Sequence, residues 1–207
     1  MTNFSTTTSS ISMNSGTDFR TGLPAARPRN ARRFTNVIAG ELARISRGRD
    51  ELSLVCAAVI DRGNLRKELG AAALARAENA LASAMRPDMR ECDSLGRIAE
   101  GRHALLLPGV GLSAARLRGE QTQASFARKM RRQYKTGDLK ITCALGIVCI
   151  GRDELCAPGD LLERGCRALQ NALAQRNVHI CLERPALSEH STLVRSCEKR
   201  FLFFGEG

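Results

Sequence analysis

Residues 94–107 read Ser94-Leu95-Gly96-Arg97-Ile98-Ala99-Glu100-Gly101-Arg102-His103-Ala104-Leu105-Leu106-Leu107. Two short extended runs, Ser94 to Ile98 and His103 to Leu107, flank the turn Ala99-Glu100-Gly101-Arg102, whose glycine permits the positive φ of a tight connection. The pattern predicts a β-hairpin in mid-chain. On its N-terminal side, Ala71 to Met85 is alanine-rich with Leu74, Ala77, Leu81 and Met85 on one helical face, and Pro87 stops the helix. Before that, Leu52 to Ile60 is a continuous apolar run bounded by charges, as in a central strand buried on both faces. Phe34 to Arg47 carries Phe34, Val37, Ile38, Leu42 and Ile45 at the spacing of an amphipathic helix. Beyond the hairpin follow a helix over Leu112 to Met130, a strand over Leu139 to Ile150 and a helix over Leu161 to Ala174. This order predicts an α/β (α+β) sandwich of the ferredoxin-like kind, a central, mostly antiparallel sheet covered by helices.

The chain has 207 residues, 43% of them hydrophobic, enough for one domain with a substantial core. Its formal net charge of +11 favours anionic partners: acidic proteins, acidic lipid, nucleic acid or phosphorylated small molecules. Aromatic residues make up only 4%, with no Trp and one Tyr, which leaves little for base stacking and argues against nucleic acid. The eight cysteines form no CxxC pair and no Cys/His metal spacing, and several lie in apolar runs where a thiol is a small core hydrophobe. They point to a reducing cytoplasm. No apolar run is long enough to span a membrane, and the N-terminus has no continuous apolar signal segment. Residues 1–17 read as a flexible Ser/Thr-rich tail, 18–181 as the folded domain, and 182–207 as an extension carrying Phe201-Leu202-Phe203-Phe204.

Five dispersed motifs, in order, resemble bacterial GGDEF domains, the diguanylate cyclase-like fold. Asp18-Phe19-Arg20-Thr21-Gly22-Leu23-Pro24 resembles the opening DxLTGLP, and Asn30-Ala31-Arg32-Arg33-Phe34 resembles NRRxF. Leu52-Ser53-Leu54-Val55-Cys56-Ala57 is similar to the first strand, and Ala58 to Pro108 follows the family pattern without a gap, with Gly70 on the helix-entry glycine and Arg97 on the arginine of RxGGDEF. Ile141-Thr142-Cys143-Ala144-Leu145-Gly146-Ile147 resembles the later strand, and Leu161 to Val178 the last helix.

The resemblance implies a nucleotidyl-cyclase-type fold and also marks what is missing from it. In the family, carboxylates of the signature turn and the first strand hold divalent metals on GTP, and phosphoryl transfer depends on that charge neutralisation. Here the turn reads Ala99-Glu100-Gly101-Arg102-His103, with Gly101 and Arg102 at the acidic positions, and Ala58 stands at the strand aspartate. Arg66 and Ala75 replace base-contacting Asn and Asp, and Leu173 replaces a phosphate-contacting lysine. A degenerate GGDEF domain without catalytic residues, resident metal or cofactor is the expectation. His103 reads as a packed strand residue where the family has Phe.

Arg90-Glu91-Cys92-Asp93 resembles the RxxD inhibitory site, the I-site, through which cyclases bind their product. An arginine fork can pair a phosphate or the guanine Hoogsteen edge, and the aspartate can accept from guanine N1 and N2. The next helix often supplies a further arginine at a position that aligns with Gln121; Arg118, one turn earlier, can substitute. Cyclic di-GMP is thus the expected ligand, with Arg90, Asp93, Arg97 and Arg118 as binding candidates. The sequence leaves three functional readings: a receptor acting on a protein partner or as a homodimer, a ligand-independent interaction module, and a residual cyclase, which the missing ligands oppose.

Overall fold

The fold is described from a computed structural model, over residues 29–45, 51–134, 140–151, 154–175 and 179–183. The DxLTGLP-like stretch, the N-terminal tail, Arg176 to Val178 and the Phe-rich segment lie outside the described residues. The elements are α1 (Arg29–Ile45), β1 (Leu52–Val59), α2 (Arg62–Met85), β2 (Ser94–Ala99), β3 (Arg102–Pro108), α3 (Leu112–Gln133), β4 (Cys143–Ile150), α4 (Pro158–Ala174) and β5 (Ile180–Glu183).

The five strands form one sheet in the order β2-β3-β1-β4-β5, antiparallel except for the β4/β5 pair. β1 is the central strand because both its faces are apolar. Leu52, Leu54, Cys56 and Ala58 point to one core, which α1 and α4 cover, while Val55, Ala57 and Val59 point to the other, beneath α2 and α3. Ser53, the one polar residue in the strand, is buried but donates its hydroxyl to Val110 O at 2.6 Å, so no polar group is left without a partner there.

The mixed α+β architecture, the hairpin and the mostly antiparallel sheet agree with the sequence reading, and several boundaries differ. α1 begins at Arg29 rather than Phe34, and α4 at Pro158 rather than Leu161. The strand expected from Leu139 starts at Cys143. α2 starts at Arg62, nine residues before the alanine-rich run, and is interrupted at Gly70, whose φ of 83° and ψ of 169° are not helical. A side chain there would be strained, whereas glycine joins the two helical stretches without that cost. β5 was not expected: its four residues are all half-buried, so they show neither clean alternation nor a long apolar run. It runs to Glu183, two residues past the boundary read at 181.

Seven cysteines lie among the described residues and all are free thiols, four of them buried. No helix among the described residues is long and apolar enough to cross a membrane.

Candidate functional site

The candidate residues fall at two ends of the hairpin. Asp93 immediately precedes β2 and Ala99 ends it, so they lie about 20 Å apart along an extended strand. The RxxD-like segment is at one end and the degenerate turn at the other.

At the first end, residues 86–93 link α2 to β2 and curl back so that Asp93 N donates to Arg90 O at 3.0 Å. The Asp93 carboxylate accepts from Arg90 N at 2.9 Å and from the guanidinium at 2.9 Å (Nη2) and 3.2 Å (Nε). Its side chain is only 2% exposed, and that of Arg90 is 49% exposed. Arg90 Nη2 also donates to Pro108 O, at the end of β3, at 2.6 Å. Arg90 is thus a half-open clasp across the hairpin entry, with one edge toward solvent.

Arg118 approaches the same place from α3. Its guanidinium donates to Pro87 O and lies 3.5 Å from the carboxylate of Asp88, a residue in the left-handed region with φ 56°. The Arg118 side chain is 15% exposed and that of Asp88 is 83% exposed. Arg90, Asp93 and Arg118 therefore line one open pocket of about 240 Å³, whose apolar wall is Leu107, Val110, Ala114 and Leu117 and whose rim holds Asp88 and Gln121. The three charged residues and the Gln121 position are legible in the sequence. Asp88, Leu117 and the Pro108 carbonyl are not, because their roles come from the folding back of α3 and β3 and not from any local pattern.

At the other end, Gly101 has φ 64° and is buried. A Cβ built on it would lie 2.5 Å from Arg62 Cζ and 2.6 Å from Glu78 Oε1. Arg62, at the start of α2, lies over the turn and donates to Glu78 Oε1 (2.6 and 2.9 Å) and to Glu100 Oε1 (3.2 Å). Arg102 pairs across the sheet with Ala58, which puts the two substituted positions side by side. Among the described residues, no three His, Cys, Asp or Glu side chains cluster as a metal site would need. Arg62 went unnoticed in the sequence because residues 62–69 lack helical periodicity, and Glu78, on the expected helix, because no local motif ties it to the turn.

Arg97 is not in the pocket. It is exposed on β2 near the turn and donates to Ala99 O at 3.2 Å, which separates it from Arg90, Asp93 and Arg118. His103 is buried on β3, as expected of a packed strand residue, and its Nε2 has no hydrogen-bond partner. Burial and then the nearby Arg97 charge lower its pKa, against a smaller opposing effect of Glu78. Arg66 and Ala75 are exposed on α2, and Leu173 is packed against the core beneath α1 and α4.

No protein-family model and no curated protein matches the sequence. Solved structures do match. Diguanylate cyclase SiaD from Pseudomonas aeruginosa, solved in complex with its activator SiaC, aligns with a TM-score of 0.64 at 23% identity, over 76% of this chain and 59% of that one. The chain thus spans less than two thirds of SiaD. The active GGEEF domain of a Vibrio cholerae diguanylate cyclase aligns with a TM-score of 0.66 at 18% identity, over 76% of this chain and 98% of that domain. The GGDEF domain of DgcB from Caulobacter crescentus, in complex with c-di-GMP, gives 0.65 at 15% identity, over 74% and 90%. The likeness is one of fold: the five-stranded sheet and four helices have the GGDEF cyclase-like arrangement.

Proposed function

We propose that this chain is a cyclic di-GMP receptor on a GGDEF-type fold that no longer carries out cyclisation, and that it signals by association with a protein partner. The observation behind this reading is the convergence of Arg90, Asp93 and Arg118, from a loop, a strand entry and a helix, on one pocket with an apolar wall. A guanidinium edge open to solvent suits a phosphate or a guanine edge, a buried carboxylate suits guanine N–H donors, and Leu107, Val110 and Leu117 suit the face of a base.

The turn does not suit a divalent cation. Arg62 already lies against Gly101, Arg102 brings a second positive charge, and Ala58 beside it offers no oxygen ligand. Without metal charge at the phosphates, few other groups can support phosphoryl transfer, so we derive no cyclase step. Incubation with GTP and Mg²⁺ or Mn²⁺ should yield no cyclic di-GMP by chromatography.

The deciding experiment is isothermal titration of wild type, Asp93→Asn, Arg90→Lys and the control Arg86→Ala with cyclic di-GMP. A charge-assisted, bidentate contact contributes about 1.5 to 3 kcal/mol, or one to two decades in affinity. Loss of that size in the Arg90 and Asp93 variants, with Arg86→Ala unchanged, supports the receptor. A flat wild-type trace sinks it. One observation favours the rival interaction module: Arg90 is already bonded to Asp93 and Pro108 O, so the RxxD-like segment can serve as a purely structural clasp. Under that reading the variants lose stability and no titration gives heat.

A further inference from the structure

The pocket that holds Arg90 continues past Arg118. A second open pocket, also about 240 Å³, shares Asp88, Arg118 and Gln121 with the first and extends to Thr122, Ser125 and Arg128. Arg118, Gln121, Ser125 and Arg128 recur at helical spacing on one stripe of α3. Arg118 and Arg128 are about 15 Å apart along the helix axis, a gap their long side chains can narrow from either end.

The groups left over in the second pocket define its chemistry. The Thr122 hydroxyl is already committed, donating to Arg118 O at 2.9 Å. The neighbouring Lys129 is turned away and donates to Ser83 Oγ at 2.9 Å. Arg128, by contrast, is exposed at the pocket and forms no hydrogen bond or ion pair with any described residue. The groove thus offers Arg90 at one end, Arg118 in the middle and Arg128 at the other end. Among the described residues that line it, the one carboxylate at its middle is Asp88, which is paired with Arg118.

We infer that the two pockets form one groove and that Arg128 is a second anion station, so the groove selects a ligand with two separated phosphates over a mononucleotide. This rests on the receptor reading and adds to it a residue and a length requirement. One phosphate lies between Arg90 and Arg118, and the other reaches Arg128 and the Ser125 hydroxyl. The Asp88 carboxylate gives up Arg118 to the incoming anion.

The test is titration of wild type, Arg128→Ala, Arg90→Ala and Arg132→Ala with cyclic di-GMP and with GMP. Arg132 is an exposed arginine of the same helix that lines neither pocket, so it reports on general charge. The expected result is that Arg128→Ala weakens cyclic di-GMP about tenfold, Arg132→Ala leaves it unchanged, and GMP binds wild type at least a hundredfold more weakly than cyclic di-GMP. If Arg128→Ala binds like wild type while Arg90→Ala loses the ligand, the second station is overturned and the receptor reading stands. Equal losses in Arg128→Ala and Arg132→Ala, or GMP binding as tight as cyclic di-GMP, also overturn it. Absence of cyclic di-GMP binding to wild type overturns both readings together.

Discussion

His103 faces α2 from β3 with its Nε2 buried and without a partner, between the opposing influences of Arg97 and Glu78. A histidine whose folded pKa is lowered stabilises the fold above its unfolded value of about 6.5, and that contribution is lost as pH falls through the folded value. His103→Phe removes both the orphan nitrogen, which costs about 1 to 3 kcal/mol, and the acid sensitivity. The melting temperature should rise by several degrees at pH 7, and more at pH 5.5 than at pH 7.5. Arg90 gives the opposite lesson. Its spacing to Asp93 was legible in the sequence, but its hold on the hairpin entry was not. Truncating an exposed side chain usually changes stability by only about 0.5 kcal/mol, whereas Arg90→Ala strips a 2%-exposed carboxylate of its counter-ion and frees the Pro108 carbonyl. We expect Arg90→Ala to lower stability by about 1 to 3 kcal/mol and the control Arg86→Ala by less than 0.5, read from urea midpoints without ligand. Asp88, Arg62 and Arg128 could not be read from the sequence, since no motif marks them and tertiary packing alone brings them to the turn and the groove.

The hairpin is the element at which sequence and structure agree most closely: two runs, one glycine and one turn, observed as β2 and β3 with positive φ at Gly101. The start of α2 was missed because Arg62-Gly63-Asn64-Leu65-Arg66-Lys67-Glu68-Leu69 has too few apolar positions to show a period, although Asp61 caps it by accepting from Asn64 N at 3.4 Å. That missed stretch supplies Arg62, so the error about an element hid a residue of the site. It also changes the outlook for restoring the acidic turn. In Gly101→Asp/Arg102→Glu, the new Cβ at position 101 meets Arg62 and Glu78 at about 2.5 Å in a left-handed conformation. We expect the double variant to be about 1 to 3 kcal/mol less stable than wild type and still to form no cyclic di-GMP. Turnover in the chromatographic assay would show that metal and base contacts can be supplied by residues other than Ala58, Arg66, Ala75 and Leu173.

For the molecule as a whole, the alternation of helices and strands specified the class of fold, but the strand order β2-β3-β1-β4-β5 and the parallel addition of β5 depend on long-range pairing that no local window contains. The free thiols in the two cores set an alkaline limit. Burial pushes Cys143 up to about 12, and the Cys56 thiol is raised by its hydrogen bond with Cys166 and then by burial. A thiol raised in this way contributes its full stabilisation below its unfolded value near 9, and loses it as pH rises toward the folded value. Unfolding free energies from denaturant titration should therefore fall between pH 9 and 12, and Cys143→Ala should flatten that decline. Arg62 has a further consequence, in terms of linkage. A ligand that binds only the native state adds RT ln(1 + [L]/Kd) to its stability, so an enzyme turn that needs magnesium and GTP has a fold whose strength follows the supply of both. Here the turn is bridged by the chain's own cation, at a concentration fixed by covalent connection. Melting curves in chelator and in millimolar Mg²⁺ should superpose, leaving this hairpin equally firm whatever the cell's magnesium and GTP pools.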